Sequence, residues 1–415
     1  MAVVVQKFGG TSVGSVPGRT AAAKWVAAAA NRGQSPVVVV SAMGRKGDPY
    51  ATDTLLGLVR DVSDSTARET DLLISCGEVI SAVVMADCLR QAGLKPMVLT
   101  GGEAGLITDD HFGDAQIVEI NPQPVIAAMT QGLVPVIAGF QGRTRAGQTT
   151  TLGRGGSDTS AVAIGAALGA EGVEIFTDVD GIKTADPRIV PDARTINRLD
   201  YDEVFQLANL GAQVIHPRAV EIARQFRVPL RVRSTFSGSP GTLVSPVHHP
   251  LDRWAHRIPD RSVTGITHLE HLVQFIVQMS DESDANWGYR LFDLLGDRGI
   301  SVDLINLFPD KALFCVPSGK AALTAASLAE AGFTCQRHDD RAKVSIVGSA
   351  IQGLPGVVGH VMGALARGGI QVLQAADSHS TITLLLRRDD MERAVQALHV
   401  QFGLSAETDE ERIGR

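Results

Sequence analysis

Thirteen residues, Thr149-Thr150-Thr151-Leu152-Gly153-Arg154-Gly155-Gly156-Ser157-Asp158-Thr159-Ser160-Ala161, bring an arginine, a carboxylate, several hydroxyls and three glycines into one turn. Gly153, Gly155 and Gly156 permit positive φ and a close backbone approach to a ligand. Ser157, Asp158 and Thr159 fall where a helix begins. The stretch that follows, to Ala170, is small and apolar, so it reads as a buried helix whose amide end faces a polar ligand. An ordinary capped glycine turn uses the same residue types. Arg154, which has no apolar role, moves the reading toward a carboxylate or phosphate site.

A second cluster, Lys7-Phe8-Gly9-Gly10-Thr11-Ser12, couples a cation to two glycines and two hydroxyls at the end of the first strand-like run. Glycine amides can approach phosphoryl oxygens, and Lys7 supplies a point charge for a transferring group. The spacing of a Walker loop is absent, which excludes the P-loop class. A lysine at a strand edge above a tight turn is the plain alternative. A third cluster, Ile175 to Ile182, ends a buried strand with Asp178 and Asp180 and leads to Asp186-Pro187-Arg188. Open α/β sheets take nucleotides at such strand ends. A paired-carboxylate hydrolase is the competing reading, and a single turn-and-nucleotide role fits better. Glu78, in Ser75-Cys76-Gly77-Glu78, is an isolated acid in an apolar helix, so it meets either a ligand ammonium or a structural arginine.

The elements that must position these groups follow a simple pattern. Up to about residue 235, β-branched runs alternate with Ala-rich helical stretches, as in a mostly parallel sheet sandwiched by helices. Strands are expected from Val3, Pro36, Pro96, Val134, Gly172 and Pro229, and a long helix from Leu72 to Gly93. Between Phe236 and Pro259 the texture turns to Ser, Gly, Pro and His, which reads as a boundary. The adjacent His248 and His249 point in different directions beside a proline and are read as loop residues, not a metal site. Two units then repeat the order strand, helix, strand, strand, helix, which implies two ferredoxin-like α+β modules. The expected division is 1–245 for the catalytic domain, 246–262 for a linker, and 263–338 and 339–410 for the modules.

At 415 residues, 44% hydrophobic and 20% charged, the composition is that of a soluble globular protein of roughly two or three domains. A formal net charge of −7 without a basic run argues against nucleic acid or an anionic membrane as partner. Cys76, Cys88, Cys315 and Cys335 show no metal-ligand spacing and read as reduced, mostly buried thiols of a cytoplasmic protein. No segment reads as the ~18 apolar residues that span a bilayer, and no metal site is expected.

Taken together and in order, Lys7 to Ser12, Ser41-Ala42-Met43-Gly44, Ser75 to Glu78, Thr149 to Ala161, Phe176 to Gly181 and Asp186-Pro187-Arg188 resemble the aspartokinases of the amino-acid kinase family. The repeated modules resemble the two ACT regulatory domains that aspartokinases carry. Met43 to Asp53 and Ala376-Asp377-Ser378-His379 are most similar to the diaminopimelate-sensitive type of spore-forming Gram-positive bacteria. The resemblance implies ATP-dependent phosphorylation of the β-carboxylate of L-aspartate, with Mg²⁺ carried by the nucleotide. It implies a homodimer or larger assembly through the ACT modules. Lys7 and Asp158 would be catalytic; Thr52, Glu78, Arg154 and Ser157 would hold aspartate. Lys7, Phe8, Gly9, Gly10, Ser41, Thr177, Asp178, Lys183, Arg188 and Gln213 would surround the nucleotide. Gln213 stands where the family has lysine, and Lys183 is the residue that could restore that charge. Ser280, Asp281, Asp284 and Asn286 would take an amino-acid effector, and their acidity favours meso-diaminopimelate. A kinase for another carboxylate, such as glutamate, and a non-catalytic amino-acid sensor are the competing readings. Retention of Lys7, Arg154, Glu78 and Asp158 together disfavours the sensor.

Overall fold

The computed structural model describes residues 2–59, 66–212, 214–246, 263–279, 286–348, 351 and 356–405. Gln213, His248, His249, Ser280, Asp281 and Asp284 lie outside the described residues. The described chain divides into two compact units, and residues 183–194 and 210–212 group with the C-terminal one.

In the N-terminal unit an eight-stranded sheet runs in the order Arg198–Leu199, Thr242–Val244, Leu230–Ser234, Gly172–Thr177, Val3–Phe8, Ser35–Val40, Val134–Ala138, Pro96–Leu99. Neighbours are parallel except Leu230–Ser234 with Thr242–Val244. Val and Ile fill the inner strands because both faces are covered, so no polar alternation is needed. Val3–Phe8 lies between Ser35–Val40 and Gly172–Thr177, with Lys7 opposite Val39 and Ile175. Chain leaves this strand on one side and returns on the other, which opens a crevice at its carboxyl end.

Aromatic packing fixes that end. Phe8 and Phe176 stack at 4.7 Å, and Trp25 tilts against Phe176 at 5.4 Å. The Trp25 indole N–H donates to the Thr235 carbonyl at 3.1 Å, and the Arg233 guanidinium lies 4.0 Å from the Trp25 ring centre. The long helix Ala67–Gln91 buries Asp71, Ser75, Glu78 and Ser81 beside Ala82, Met85 and Leu89. Its length and apolar character match those of a membrane span, contrary to the expectation from sequence; here it is a half-buried helix of the domain core. A separate four-stranded sheet, ordered Ile117–Ile120, Leu106–Thr108, Gln141–Thr144, Thr149–Thr151, carries the chain into the Arg154 turn.

The C-terminal unit holds a six-stranded antiparallel sheet, ordered Asp303–Leu307, Lys311–Pro317, Gly265–Gln278, Thr334–Val347, Thr381–Arg387, Gln374–Asp377. Helices Trp287–Asp297 and Ser318–Glu330 serve the first module, and Val357–Arg367 and Met391–Gln401 the second. Gly265–Gln278 and Thr334–Val347 are each longer than the sequence pattern suggests and run through both modules. Their pairing shifts register near His271 and Asp340, both at positive φ, as a bulge requires. The second module's core also takes in Ala185, Ile189, Val190 and Ala193 from the 183–194 segment. Of the four cysteines, all free, only Cys315 is buried; Cys76 is exposed, against the expectation that most would be inside.

Truncating Phe176 to alanine removes the ring on which Phe8 and Trp25 both pack. It should cost about 3–5 kcal/mol of stability, measured by denaturant unfolding; a loss below about 1 kcal/mol would show that the stack is not needed.

Candidate active site

Lys7 ends the central strand with its ammonium 2.7 Å from Asp158 Oδ1, and both side chains are about one-eighth exposed. The contact is ionic; Asp158 Oδ1 receives no aligned hydrogen bond. Asp158 stands in the first turn of helix Gly156–Ala167, where the macrodipole favours a negative charge. Gly155 caps that helix at φ +69°, and Gly153 has φ +70°, the left-handed region glycine enters without a steric cost. The next ten residues, from Gly156, are buried, as the small apolar run implies.

Two loops zip together beside Lys7. Gly9 N–H donates to the Phe176 carbonyl at 3.2 Å, Ser41 N–H to Phe8 at 3.1 Å and Gly44 N–H to Gly10 at 3.0 Å. A Cβ on Gly10 would lie 2.7 Å from the Ala42 carbonyl oxygen, so only glycine fits. Thr177 Oγ1 donates to Asp178 Oδ1 at 3.2 Å, and Asp178 pairs with Arg45 at 2.6 Å on the exposed side. Asp180 instead accepts from Ser237, so the two aspartates have separate partners.

Glu78 is 2% exposed. Its Oε1 accepts the Ala42 N–H at 2.9 Å, and Oε2 has no partner. Of the two sequence readings, the structural arginine is not there. Burial pushes the carboxyl up from 4.5 to about 8, against the smaller lowering from the Ala42 amide. Gly77 lets this helix close on the 50–55 segment, since a Cβ there would lie 2.9 Å from the Tyr50 carbonyl oxygen. Thr52, half-buried, starts helix Thr52–Gly57 in that segment. Ser157 is buried, and a Cβ on Gly139 would lie 3.0 Å from its own. Arg154 is exposed and lines a cavity of about 670 Å³ together with Gly113, Asp114, Gln116, His216 and Arg218.

Lys183 and Arg188 fall in the segment that groups with the C-terminal unit. There Lys183 Nζ donates to the Ala193 carbonyl at 3.3 Å, and Arg188 pairs with Asp186 at 2.6 Å. Asn286, the one effector candidate among the described residues, is the N-cap of Trp287–Asp297.

Three further residues hold the site and were not singled out from sequence. Asp71, 1% exposed, accepts from Thr151 N–H at 2.7 Å, Thr151 Oγ1 at 2.8 Å and Gly113 N–H at 3.0 Å. It lies seven residues, two turns, before Glu78 on one helix face, a spacing that could have flagged it. Phe140 sits at φ +68°, its N–H donating to Ser160 and its carbonyl accepting from Leu152. Arg218 is the third. Neither residue has a sequence signal beyond its neighbours. No cluster of metal-ligating side chains occurs among the described residues.

The amino acid kinase family model matches residues 2–234, and an ACT domain model matches 336–400. The chain belongs to the aspartokinases of the amino acid kinase family. It is 46% identical over 406 residues to aspartokinase 1 of Bacillus subtilis (strain 168), covering 98% of this chain and 100% of that one. It is 40% identical over 414 residues to an aspartokinase of Geobacillus stearothermophilus, with 98% of each covered. The structure of E. coli aspartokinase III in complex with aspartate and ADP matches with a TM-score of 0.79 at 26% identity, over 96% of this chain and 99% of that one. The same enzyme in complex with lysine and aspartate matches at 0.73 and 25%, with the same coverage.

A group whose folded-state pKa is raised contributes fully at acid pH and loses that contribution as pH climbs toward the raised value. Glu78→Gln should therefore gain stability relative to the parent chain from about pH 5 to about pH 8. Denaturation curves of the two chains across that range check this, and a constant difference would show that Glu78 is not neutral when buried.

Proposed function

We propose that this chain transfers the γ-phosphoryl group of ATP to the β-carboxylate of L-aspartate, forming 4-phospho-L-aspartate and ADP. The reaction opens the route to diaminopimelate, lysine, threonine and methionine. The observation that carries the reading is Glu78: a buried carboxylate with one oxygen free and no arginine on it suits a substrate ammonium. Arg154, a guanidinium on a glycine-rich turn, suits the α-carboxylate, with Thr52 and Ser157 adding hydroxyls.

The β-carboxylate is ionised at pH 7, so no general base is required. A bond forms between a carboxylate oxygen and the γ-phosphorus as the bond to the β,γ-bridging oxygen breaks, and ADP leaves with that electron pair. Lys7, released from Asp158 toward the phosphates, neutralises charge on the transferring group. Gly9 and Gly10 bring the backbone close to the phosphates beside Phe8 and Ser41, and Thr177 and Asp178 border the nucleotide. Mg²⁺ carried with ATP would supply charge neutralisation at the phosphates when bound. Lys183, Arg188 and Gln213 complete the nucleotide shell in this reading, with Lys183 in place of the family lysine absent at Gln213.

The effector we propose is meso-diaminopimelate, held by Ser280, Asp281, Asp284 and Asn286 in an assembly paired through ACT modules. Its two ammonium groups suit the acidic loop better than the single side-chain charge of lysine. The modules divide at 263–338 and 339–410, after a catalytic domain of 1–245 and a linker of 246–262, and the protein works in the cytoplasm.

Two variants separate the roles. Lys7→Ala should lower kcat on the order of 10²-fold or more while the chain stays folded. Arg154→Ala should raise the aspartate KM as well as lower kcat. Near-normal turnover without Lys7, or an unchanged aspartate KM without Arg154, would overturn the assignment. For the effector, titration calorimetry of the full chain should give saturable heat with meso-diaminopimelate at lower concentration than with lysine or threonine; the reverse order would refute it.

A further inference from the structure

We infer that His216 and Arg218 are positioning residues that clamp both ends of the Arg154 turn, so that its guanidinium meets substrate from a fixed backbone. The inference rests on the aspartate-kinase reading for what is positioned, and on geometry alone for the clamp.

Helix Pro217–Phe226 begins with proline at its first position and His216 as N-cap, whose Nδ1 accepts the Arg218 N–H at 3.4 Å. Burial pushes the His216 pKa down, outweighing the nearby Asp158 and Asp114, which raise it; Arg218 adds to the lowering. The ring is therefore neutral at pH 7, with its hydrogen on Nε2. The imidazole lies against the Gly155 α-carbon so closely that no Cβ fits there.

Arg218 reaches the other end of the turn. Its two terminal nitrogens donate to the Leu152 carbonyl at 3.3 Å and the Ala115 carbonyl at 3.2 Å, with Asp114 Oδ1 3.5 Å away. One tripeptide thus grips residue 152 through Arg218 and residue 155 through His216. Only Gly153 and Arg154 lie between these two points. From the other side Asp71 holds Thr151 and Gly113, and the Ala115 N–H donates directly to the Thr151 carbonyl at 2.9 Å, so the 113–115 loop and the turn are tied together three times. Arg218 directs its donors to carbonyls, and the rigid planar fork of a guanidinium holds two such acceptors at a fixed separation, whereas an ammonium is a single point on a flexible stem.

The test uses the full chain with Arg218→Lys and, separately, His216→Asn, which keeps an N-cap acceptor but withdraws the ring from Gly155. Each should raise the aspartate KM roughly ten- to a hundredfold and leave the ATP KM within about twofold. Amide hydrogen exchange across residues 152–158 should accelerate, with the melting temperature nearly unchanged. An unchanged aspartate KM overturns the inference, and so does an equal rise in both KM values with a lowered melting temperature, which marks a merely structural role. If the parent chain proves inactive with aspartate, the functional reading fails instead. Exchange at 152–158 then decides the clamp alone: faster exchange in the variants supports it, and unchanged exchange overturns it.

Discussion

The ion pair between Lys7 and Asp158, 2.7 Å apart and mostly out of water, is the constraint around which the N-terminal unit is arranged. Two charges removed from solvent are costly unless their geometry and surroundings offset the lost hydration. Here the carboxylate rests at a helix N-terminus, and the ammonium ends a strand that has a parallel neighbour on each side. Both come from opposite sides of one crevice. Glycines at 10, 153 and 155 let the backbone close around this pair, since a Cβ at each would collide with Ala42, Asp114 or His216.

Glu78 expresses the complementary constraint. A carboxyl group buried with one free oxygen stays protonated near neutrality, and it becomes a favourable anion only when a cation arrives. Burial of this group therefore carries a cost to stability that grows with pH. Residues 183–194, which follow the strand Gly172–Thr177 and the turn after it, contribute Ala185, Ile189 and Val190 to the second module's core. Residues 210–212, just before the His216 clamp, hydrogen-bond through the Leu210 carbonyl to Thr267.

Much of this was legible in residue order. The parallel sheet follows from uninterrupted Val and Ile runs, and the glycine-rich clusters at 7–12 and 149–161 drew attention to Lys7 and Asp158, which the fold pairs. Other parts were not legible because they depend on contacts between distant segments. The four-stranded sheet is made of runs three or four residues long, too short for periodicity to reveal. The strand Thr334–Val347 begins with Thr334-Cys335-Gln336-Arg337-His338-Asp339-Asp340, a polar stretch that reads as loop until Gly265–Gln278 pairs with it. Asp71 and Arg218 bond to backbone atoms of other segments, and no residue pattern encodes a carbonyl's position.

The central claim is that charge placement, without a base or a covalent enzyme intermediate, carries the γ-phosphoryl group to one carboxylate of aspartate. Trapping the acyl phosphate with hydroxylamine tests it most directly, because only an activated carboxyl yields a hydroxamate. Incubated with Mg²⁺ and ATP, the chain should form aspartyl β-hydroxamate in step with ADP release, and none with glutamate. ADP release without hydroxamate, or equal hydroxamate from glutamate, would contradict the account.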